Sequence, residues 1–177
     1  MDAANDTEGS ASIPPLQQDD HVRGPAGAPL LIVYGEFTCP RCALAHARLR
    51  EVGVREVFRH FALGARPRVV ALACAVSAAG EQGAFWELHD RLFADQGRQE
   101  DPHLWAYAEE LGLDLDRFER DRRAPATLTR VREQTRAGLI AGVSTTPTLI
   151  LGGEVISGPP DAALLARLGA AAGRAIG

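Results

Sequence analysis

The feature that most constrains the fold is a long helical stretch placed between two short β-type regions. Apolar residues recur with helical spacing from Pro67 to about Ala141. Before this stretch, the apolar pattern and the Val and Phe enrichment predict a strand at 30–35, a helix at 41–52 and a second strand at 54–61. Two strands joined by one helix form a βαβ unit, so these two strands are expected to be parallel.

β-type sequence returns after the helical stretch. Residues 145–151 predict a strand, 152–153 a hairpin turn through Gly-Gly, and 154–157 the returning strand. The Gly-Pro-Pro run at 158–160 ends the sheet, and 161–175 again has helical spacing. The predicted fold class is therefore α/β, in the order β-α-β, helical insertion, β-β-α.

Within the insertion, Asp and Pro residues predict where helices begin. Asp101 followed by Pro102 is typical of an N-cap and a first helical position. Asp114 predicts the cap of a short helix, and Pro125 predicts the start of another. The insertion should therefore consist of several separate helices.

Length and composition indicate one domain with a sizeable core. The chain has 177 residues, 46% of them hydrophobic, and a net charge of −4. The predicted domain covers residues 21–177, with the helical insertion at about 67–141. An acidic chain has no basic field to attract nucleic acid or an anionic membrane surface, so neither is expected as a partner. No apolar run approaches the ~20 residues that a transmembrane helix needs.

The first 20 residues form a polar segment rich in Asp, Ser, Gln and Pro. They contain neither the basic cluster nor the apolar core of a secretory signal. We therefore expect residues 1–20 to be a disordered tail and the protein to be cytoplasmic.

Chemistry is concentrated in Cys39-Pro40-Arg41-Cys42, which lies where the first strand meets the first helix. The N-terminus of a helix offers unpaired N–H groups and the positive end of the helix dipole, which favour a thiolate at Cys39. A second sulfur three positions later supplies the minimal equipment for thiol–disulfide exchange.

Several runs of this sequence resemble the DsbA-like branch of the thioredoxin superfamily. A lone Cys-x-x-Cys is weak evidence, but its combination with a later Thr-Pro and an aromatic run is specific. The resemblance covers roughly residue 20 to the C-terminus. The matching runs are Tyr34-Gly35-Glu36-Phe37-Thr38-Cys39-Pro40, Arg59-His60-Phe61, Phe85-Trp86-Glu87-Leu88-His89-Asp90 and Gly142-Val143-Ser144-Thr145-Thr146-Pro147-Thr148.

The resemblance implies a thioredoxin fold and a protein disulfide oxidoreductase. Cys39 would be the nucleophile and Cys42 the resolving thiol of a redox-active disulfide, and Thr146 would pair its backbone with a substrate strand beside a cis-proline. No bound cofactor or metal is implied. The implied partners are protein or small-molecule thiols and disulfides, together with a recycling redox partner. The implied substrate-binding residues are Pro40, Arg41, Thr146 and Pro147.

Two features depart from the family pattern. Relatives carry an acid six residues before the first Cys, as a buried proton acceptor for the resolving thiol, and this chain has Val33 there. We hypothesise slower proton transfer at Cys42, relieved by water or by Glu36, and faster turnover near neutral pH in Val33→Glu. The first helix is also expected to be a turn or two shorter than in relatives.

Arg41 has two interpretations. Its cation could stabilise the neighbouring thiolate and so make the disulfide a stronger oxidant. Alternatively, it faces solvent and has little effect, because exposed charges are screened.

The sequence is also compatible with three other functions. One is a redox-inactive or regulatory thioredoxin-like module that binds partners beside Pro147, and another is a glutathione-linked enzyme on the same scaffold. A third is a metal-binding protein. Its candidate ligands are Cys39, Cys42 and His46, with Cys74, His60 or His89 as a fourth. The simpler expectation is that Cys74 is a buried free thiol and that His60 and His89 serve packing.

Overall fold

The computed structural model describes residues 15–63 and 66–174. Its elements follow the predicted order, with one additional strand at the start. The strands are β1 (Val22–Arg23), β2 (Leu30–Gly35), β3 (Arg55–His60), β4 (Thr148–Leu151) and β5 (Glu154–Ser157). The helices are α1 (Pro40–Leu49), α2 (Pro67–Gly80), α3 (Phe85–Ala94), α4 (Asp101–Glu110), α5 (Leu115–Arg122), α6 (Pro125–Ile140) and α7 (Ala162–Arg174).

The strands form one mixed sheet in the order β1-β3-β2-β4-β5. β2 and β3 are parallel, as the βαβ prediction requires, with Leu30 opposite Arg55 and Gly35 opposite His60. β4 runs antiparallel to β2, and β5 is its hairpin partner. β2 is thus the central strand, and its carboxyl end leads directly into the Cys-Pro-Arg-Cys motif.

Alternate residues of β2 face two separate apolar layers. Leu31 and Val33 join the larger core, which contains residues of α1, of the helical insertion and of α7. Ile32 and Tyr34 face the other side, where they pack with Val143 and neighbouring residues. Each fully buried aliphatic or aromatic side chain contributes about 1.5–3 kcal/mol. Burial of both faces therefore stabilises β2 at the centre of the sheet.

The N-terminal region differs most from the prediction. β1 was not predicted, because two residues with one polar side chain give no periodicity. It pairs antiparallel with β3, placing Arg23 opposite Glu56. Residues 1–14 of the predicted disordered tail lie outside the described residues. Residues 15–20, also predicted disordered, instead contact β3, where the Asp20 carboxylate pairs with the buried Arg59 guanidinium at 2.6 Å.

Helix boundaries agree with the prediction at some positions and not at others. α1 ends at Leu49 instead of residue 52, and a turn with Gly53 at φ +62° leads to β3. The predicted cap of α4 is one residue off: Glu100 is the N-cap and Asp101 is already helical. Asp114 caps α5 as predicted, accepting a hydrogen bond from the Arg117 N–H at 2.9 Å. α6 begins at Pro125 as predicted.

None of the helices within the described ranges has the length and apolar character that crossing a lipid bilayer requires.

Candidate active site

Cys39 occupies the N-cap position of α1, at the end of a short loop after β2. Its backbone is extended, with φ −83° and ψ 115°, and Pro40 follows as the first helical residue. The Cys39 carbonyl accepts hydrogen bonds from the Cys42 and Ala43 N–H groups at 3.0 and 3.2 Å. The first turn of the helix thereby fixes the spacing between the two cysteines.

The two thiols lie in different environments. Both are free; Cys39 is partly exposed, whereas Cys42 is only 3% exposed. Burial raises the pKa of Cys42 strongly, and the adjacent Cys39 raises it further, while a backbone hydrogen bond with Glu36 acts in the opposite direction. One sulfur is accessible to a partner, and the one behind it retains its proton at neutral pH.

Gly35, the last residue of β2, allows this close packing. A Cβ atom at this position would lie 2.9 Å from the Phe58 ring and 3.4 Å from the Cys42 sulfur. A side chain at residue 35 would therefore force the Phe58 ring to move and would fill the space beside the Cys42 sulfur.

The structure brings the predicted Thr-Pro element to the cysteines across 107 residues of sequence. The Thr146–Pro147 peptide bond is cis, as predicted. The Cys39 thiol donates a hydrogen bond to the Thr146 carbonyl at 3.5 Å. The Gly158 N–H donates to the Pro147 carbonyl at 2.7 Å, which ties this turn to the end of β5.

The two residues between the cysteines are exposed, as a substrate-contacting role requires. The Arg41 guanidinium extends towards Gly158, where an added Cβ atom would lie 2.7 Å from its Nη2. Pro147, in contrast, is buried beneath the turn. Of the predicted substrate-binding residues, Pro40, Arg41 and Thr146 therefore offer accessible surface.

Sequence reasoning missed two residues that hold the active-site loop. The Gln96 side chain donates hydrogen bonds to the carbonyls of Phe37 and Cys39 at 2.8 and 3.0 Å. The buried Gln99 amide donates to the Phe37 carbonyl at 2.9 Å. Both lie in the loop between α3 and α4, so the helical insertion directly supports the cysteine motif.

Glu36 also stabilises this loop. Its Oε2 accepts hydrogen bonds from the Thr38 N–H and hydroxyl, both at 2.7 Å, and its Oε1 lies 3.4 Å from Arg66. It lines a cavity of about 170 Å³ that also contacts Thr146. The carboxylate thus faces the Thr-Pro side of the site.

A buried polar cluster lies on the same sheet face as Val33. Glu56 of β3 is 3% exposed, and its Oε2 accepts two hydrogen bonds from Arg23, at 2.8 and 2.9 Å. Arg23 also donates to Asp90 at 2.7 Å, and the fully buried His89 donates from Nδ1 to the same oxygen at 2.8 Å. Burial lowers the pKa of His89 to about 3, so its imidazole is neutral.

The cluster also bears on the metal-binding alternative. His46, His89 and Asp90 place ligand atoms within 4.8 Å of one another. However, the Asp90 oxygens already pair with the guanidiniums of Arg23 and Arg50, at 2.7 and 2.5 Å, and these two cations oppose a metal ion. In the part of the chain that the structure describes, neither Cys39 nor Cys42 belongs to such a ligand group.

The remaining candidate ligands have other surroundings. Cys74 is a buried free thiol in α2, as predicted, and burial raises its pKa. The His60 Nε2 lies 3.1 Å from the Ser77 hydroxyl, and burial lowers the pKa of His60 to about 3. Both residues are packed in the core, as their sequence context predicted.

Residues 53–168 match the DSBA-like thioredoxin domain family, which accounts for more than half of the chain. The chain belongs to the DSBA-like thioredoxin domain family. The predicted fold and family are therefore confirmed, and this family's fold supports thiol–disulfide oxidoreductase chemistry.

Solved structures show the same fold at low sequence identity. The DSBA-like domain is similar to a thioredoxin-like oxidoreductase from Silicibacter pomeroyi, with a TM-score of 0.76 and 22% identity, covering 90% of this chain and 94% of the other. It is also similar to the thiol-disulfide exchange protein alpha-DsbA2 from Wolbachia pipientis, with a TM-score of 0.74, 16% identity and 85% coverage of each chain.

Curated relatives are closer in sequence but much longer. The DSBA-like domain is 42% identical over 148 residues to a Salinispora arenicola protein named Na(+)/H(+) antiporter NhaA 1. The match covers 79% of this chain and 23% of that protein. A Salinispora tropica protein named Na(+)/H(+) antiporter NhaA 3 matches with 42% identity, over 82% of this chain and 24% of its own length. The chain therefore spans about a quarter of the curated relatives that it matches.

Proposed function

We propose that this DSBA-like domain is a thiol–disulfide oxidoreductase in which Cys39 forms a mixed disulfide and Cys42 resolves it. The observation that carries the proposal is the asymmetry of the two thiols at the start of α1. Cys39 is partly exposed and Cys42 is only 3% exposed, one helical turn behind. An incoming disulfide can reach only the first sulfur, so attack and resolution belong to different cysteines.

In the proposed reaction, the Cys39 thiolate attacks one sulfur of a substrate disulfide, and the other substrate sulfur leaves as a thiolate. Cys42 then loses its proton and attacks the Cys39 sulfur. This step forms the Cys39–Cys42 disulfide and releases the second substrate thiolate. Two electrons pass from the cysteine pair to the substrate, and the reverse sequence oxidises a substrate dithiol.

Thr146 has a specific part in this proposal. Its carbonyl accepts the Cys39 S–H hydrogen bond at 3.5 Å, and that donor disappears when Cys39 is deprotonated or joined to a substrate. The carbonyl then becomes available to a backbone N–H of an extended substrate segment, a strand-like contact.

The test combines an insulin-reduction assay with a redox titration of the Cys39–Cys42 pair. Cys39→Ser should abolish reduction, and Cys42→Ser should accumulate a mixed disulfide that mass spectrometry detects on Cys39. Cys74→Ser is the matched control, because this third cysteine is buried in α2, and it should retain wild-type activity. Full activity in Cys39→Ser, or a wild-type protein that binds partners without exchanging disulfides, would refute the proposal.

A further inference from the structure

The cavity behind Cys42 is lined by an acidic residue that does not belong to the family pattern. This cavity has a volume of about 10 Å³, and its lining includes Cys42, Val33, Glu56, His46 and His89. That volume is close to the minimum that holds one water molecule. At residue 33, where relatives carry their acid, this chain has an apolar valine. The carboxyl group of Glu56, from the neighbouring strand β3, lines the same cavity.

The sheet register explains why Glu56 reaches this cavity. Leu31 lies opposite Glu56, and Val33 lies opposite Phe58, in the parallel pair of β2 and β3. Residues opposite one another in a sheet project from the same face. Glu56 and Val33 are thus diagonal neighbours on the face that packs against α1.

The hydrogen bonds leave one oxygen of Glu56 available. Both bonds from Arg23 go to Oε2, and Oε1 accepts none from the described residues. His89 contributes a second acceptor, because its Nδ1 donates to Asp90 and its buried Nε2 has no partner in the described part of the chain. A water in the cavity could accept from the Cys42 thiol and donate to both acceptors, which gives three hydrogen bonds.

We propose that Glu56 is the proton acceptor for Cys42, through one water molecule, in place of the acid that is absent at residue 33. This inference rests on the proposed function. In the resolving step, the Cys42 S–H proton passes to the water, and a proton of that water passes to the Glu56 carboxylate. The Cys42 thiolate then forms its bond to Cys39 as the substrate thiolate leaves. In the oxidising direction, the same proton returns to Cys42.

Burial makes Glu56 a stronger base than an exposed glutamate. Burial raises its pKa, and Asp90 raises it further, while Arg23 from β1 and Arg50 after α1 act in the opposite direction. A base whose pKa is nearer to that of the thiol accepts its proton more readily. The imidazoles facing it from α1 and α3 are weak bases, because burial lowers the pKa of His46 to about 4 and that of His89 to about 3.

Glu36 is the competing candidate, and its contacts argue against it. Its two oxygens are engaged by Thr38 and Arg66, on the side of the loop that faces Thr146. It does not line the cavity behind Cys42.

The experiment measures the resolving step alone. A chromogenic mixed disulfide is formed on Cys39, and release of the chromophoric thiol is followed from about pH 5.5 to 9 in single-turnover mode, a range that brackets the ordinary thiol pKa. We expect Glu56→Gln to slow release at least ~10-fold at pH 7. Without the acceptor, the rate should rise about tenfold per pH unit, since only the thiolate fraction reacts, whereas the wild-type profile should be flatter. Val33→Glu combined with Glu56→Gln should restore the wild-type rate and profile.

Control measurements separate the possible outcomes. Alkylation of Cys39 by iodoacetamide reports whether the first thiol remains reactive in each variant. A wild-type protein without disulfide exchange overturns the proposed function itself, whereas an active wild type with an unchanged Glu56→Gln profile overturns only this inference. The inference is also overturned if Glu36→Gln, and not Glu56→Gln, makes the rate of thiol release depend steeply on pH. If Glu56→Gln does not fold, Glu56→Asp is the second variant, because it keeps the charge beside Arg23 but retracts the carboxyl group. Glu56→Asp should slow release of the chromophoric thiol at neutral pH. An unchanged rate refutes the role of Glu56 as proton acceptor.

Discussion

The pairing of Asp20 with Arg59 gives a direct measure of what the N-terminal segment contributes to stability. Both side chains are only 1% exposed. The contact is bidentate, with Arg59 Nε donating to Oδ1 at 3.0 Å and Nη2 donating to Oδ2 at 2.6 Å. Arg59 also donates to the Tyr34 hydroxyl at 3.3 Å and to the Pro15 carbonyl at 2.7 Å. Asp20→Ala would therefore remove the carboxylate that makes a bidentate contact with this buried guanidinium.

The magnitude follows from the burial. Removing one partner of a buried ion pair costs about 3–5 kcal/mol, because the remaining charge stays desolvated. For a chain of 177 residues, each kcal/mol lowers the melting temperature by about 2–4 °C. Asp20→Ala should therefore melt about 6–20 °C below the wild type.

Urea unfolding followed by circular dichroism provides the free energy, and calorimetry provides the melting temperature. The matched control is Glu154→Gln, which breaks an ion pair of similar length, 2.7 Å, whose side chains are 50% and 56% exposed. That control should leave the midpoint unchanged within error, because exposed pairs contribute little. The double variant Asp20→Ala with Arg59→Met should recover stability relative to Asp20→Ala, since it also removes the buried charge that Asp20 stabilises.

A loss below about 1 kcal/mol in Asp20→Ala would refute this reasoning, because such a value is typical of an exposed ion pair. It would mean that residues 15–20 detach from β3 in solution. A double variant that is less stable than Asp20→Ala would also contradict it.

Two further predictions concern buried groups away from the cysteines. Burial lowers the pKa of His60 from 6.5 to about 3. Between these two pH values the unfolded chain binds a proton that the native protein excludes. The contribution of neutral His60 to the free energy of unfolding is therefore complete above pH 6.5 and is lost as the pH falls below it. His60→Gln should reduce the slope of unfolding free energy against pH by about 1.4 kcal/mol per unit between about pH 6 and 4, and urea titrations with equal slopes would contradict this. Gly138→Ala should destabilise by about 1–3 kcal/mol, because its Cβ would lie 2.9 Å from the Tyr34 ring. Gly169→Ala in α7 should instead stabilise the protein by about 0.5–1 kcal/mol, since an added Cβ there meets nothing within 4 Å. Equal shifts of the melting temperature in the two variants would argue against a close approach of Gly138 to the Tyr34 ring.

The local features of this chain were predictable from its sequence. The βαβ unit, the helical insertion, the terminal hairpin and the cis Thr146–Pro147 bond follow from periodicity, turn residues and the family resemblance, and the structure contains all four. Strongly periodic segments and Pro or Gly positions carry their information within a few residues. The cap at Asp101 was wrong by one residue because Asp is also favourable in the first helical turn.

Contacts between distant segments were not predictable in the same way. β1 has two residues and exists because β3 offers it a free edge. The supports of the cysteine loop, Gln96 and Gln99, lie 57 to 62 residues from the carbonyls that they bind. Nothing in the local sequence of these residues marks such contacts, because their partners are chosen by the packing of whole elements.

The sequence by itself determined which groups carry the proposed chemistry: two sulfurs one helical turn apart at a strand–helix junction, and a Thr-Pro element. Only the tertiary structure decided how the two sulfurs differ, because exposure and cavities arise when strands and helices pack together. The register of β2 and β3 illustrates this: a valine at position 33 indicated a missing acid, but the pairing of Leu31 with Glu56 places another carboxyl group on the same cavity. A lost group can be replaced from a neighbouring strand, because a sheet brings together side chains that the chain keeps apart.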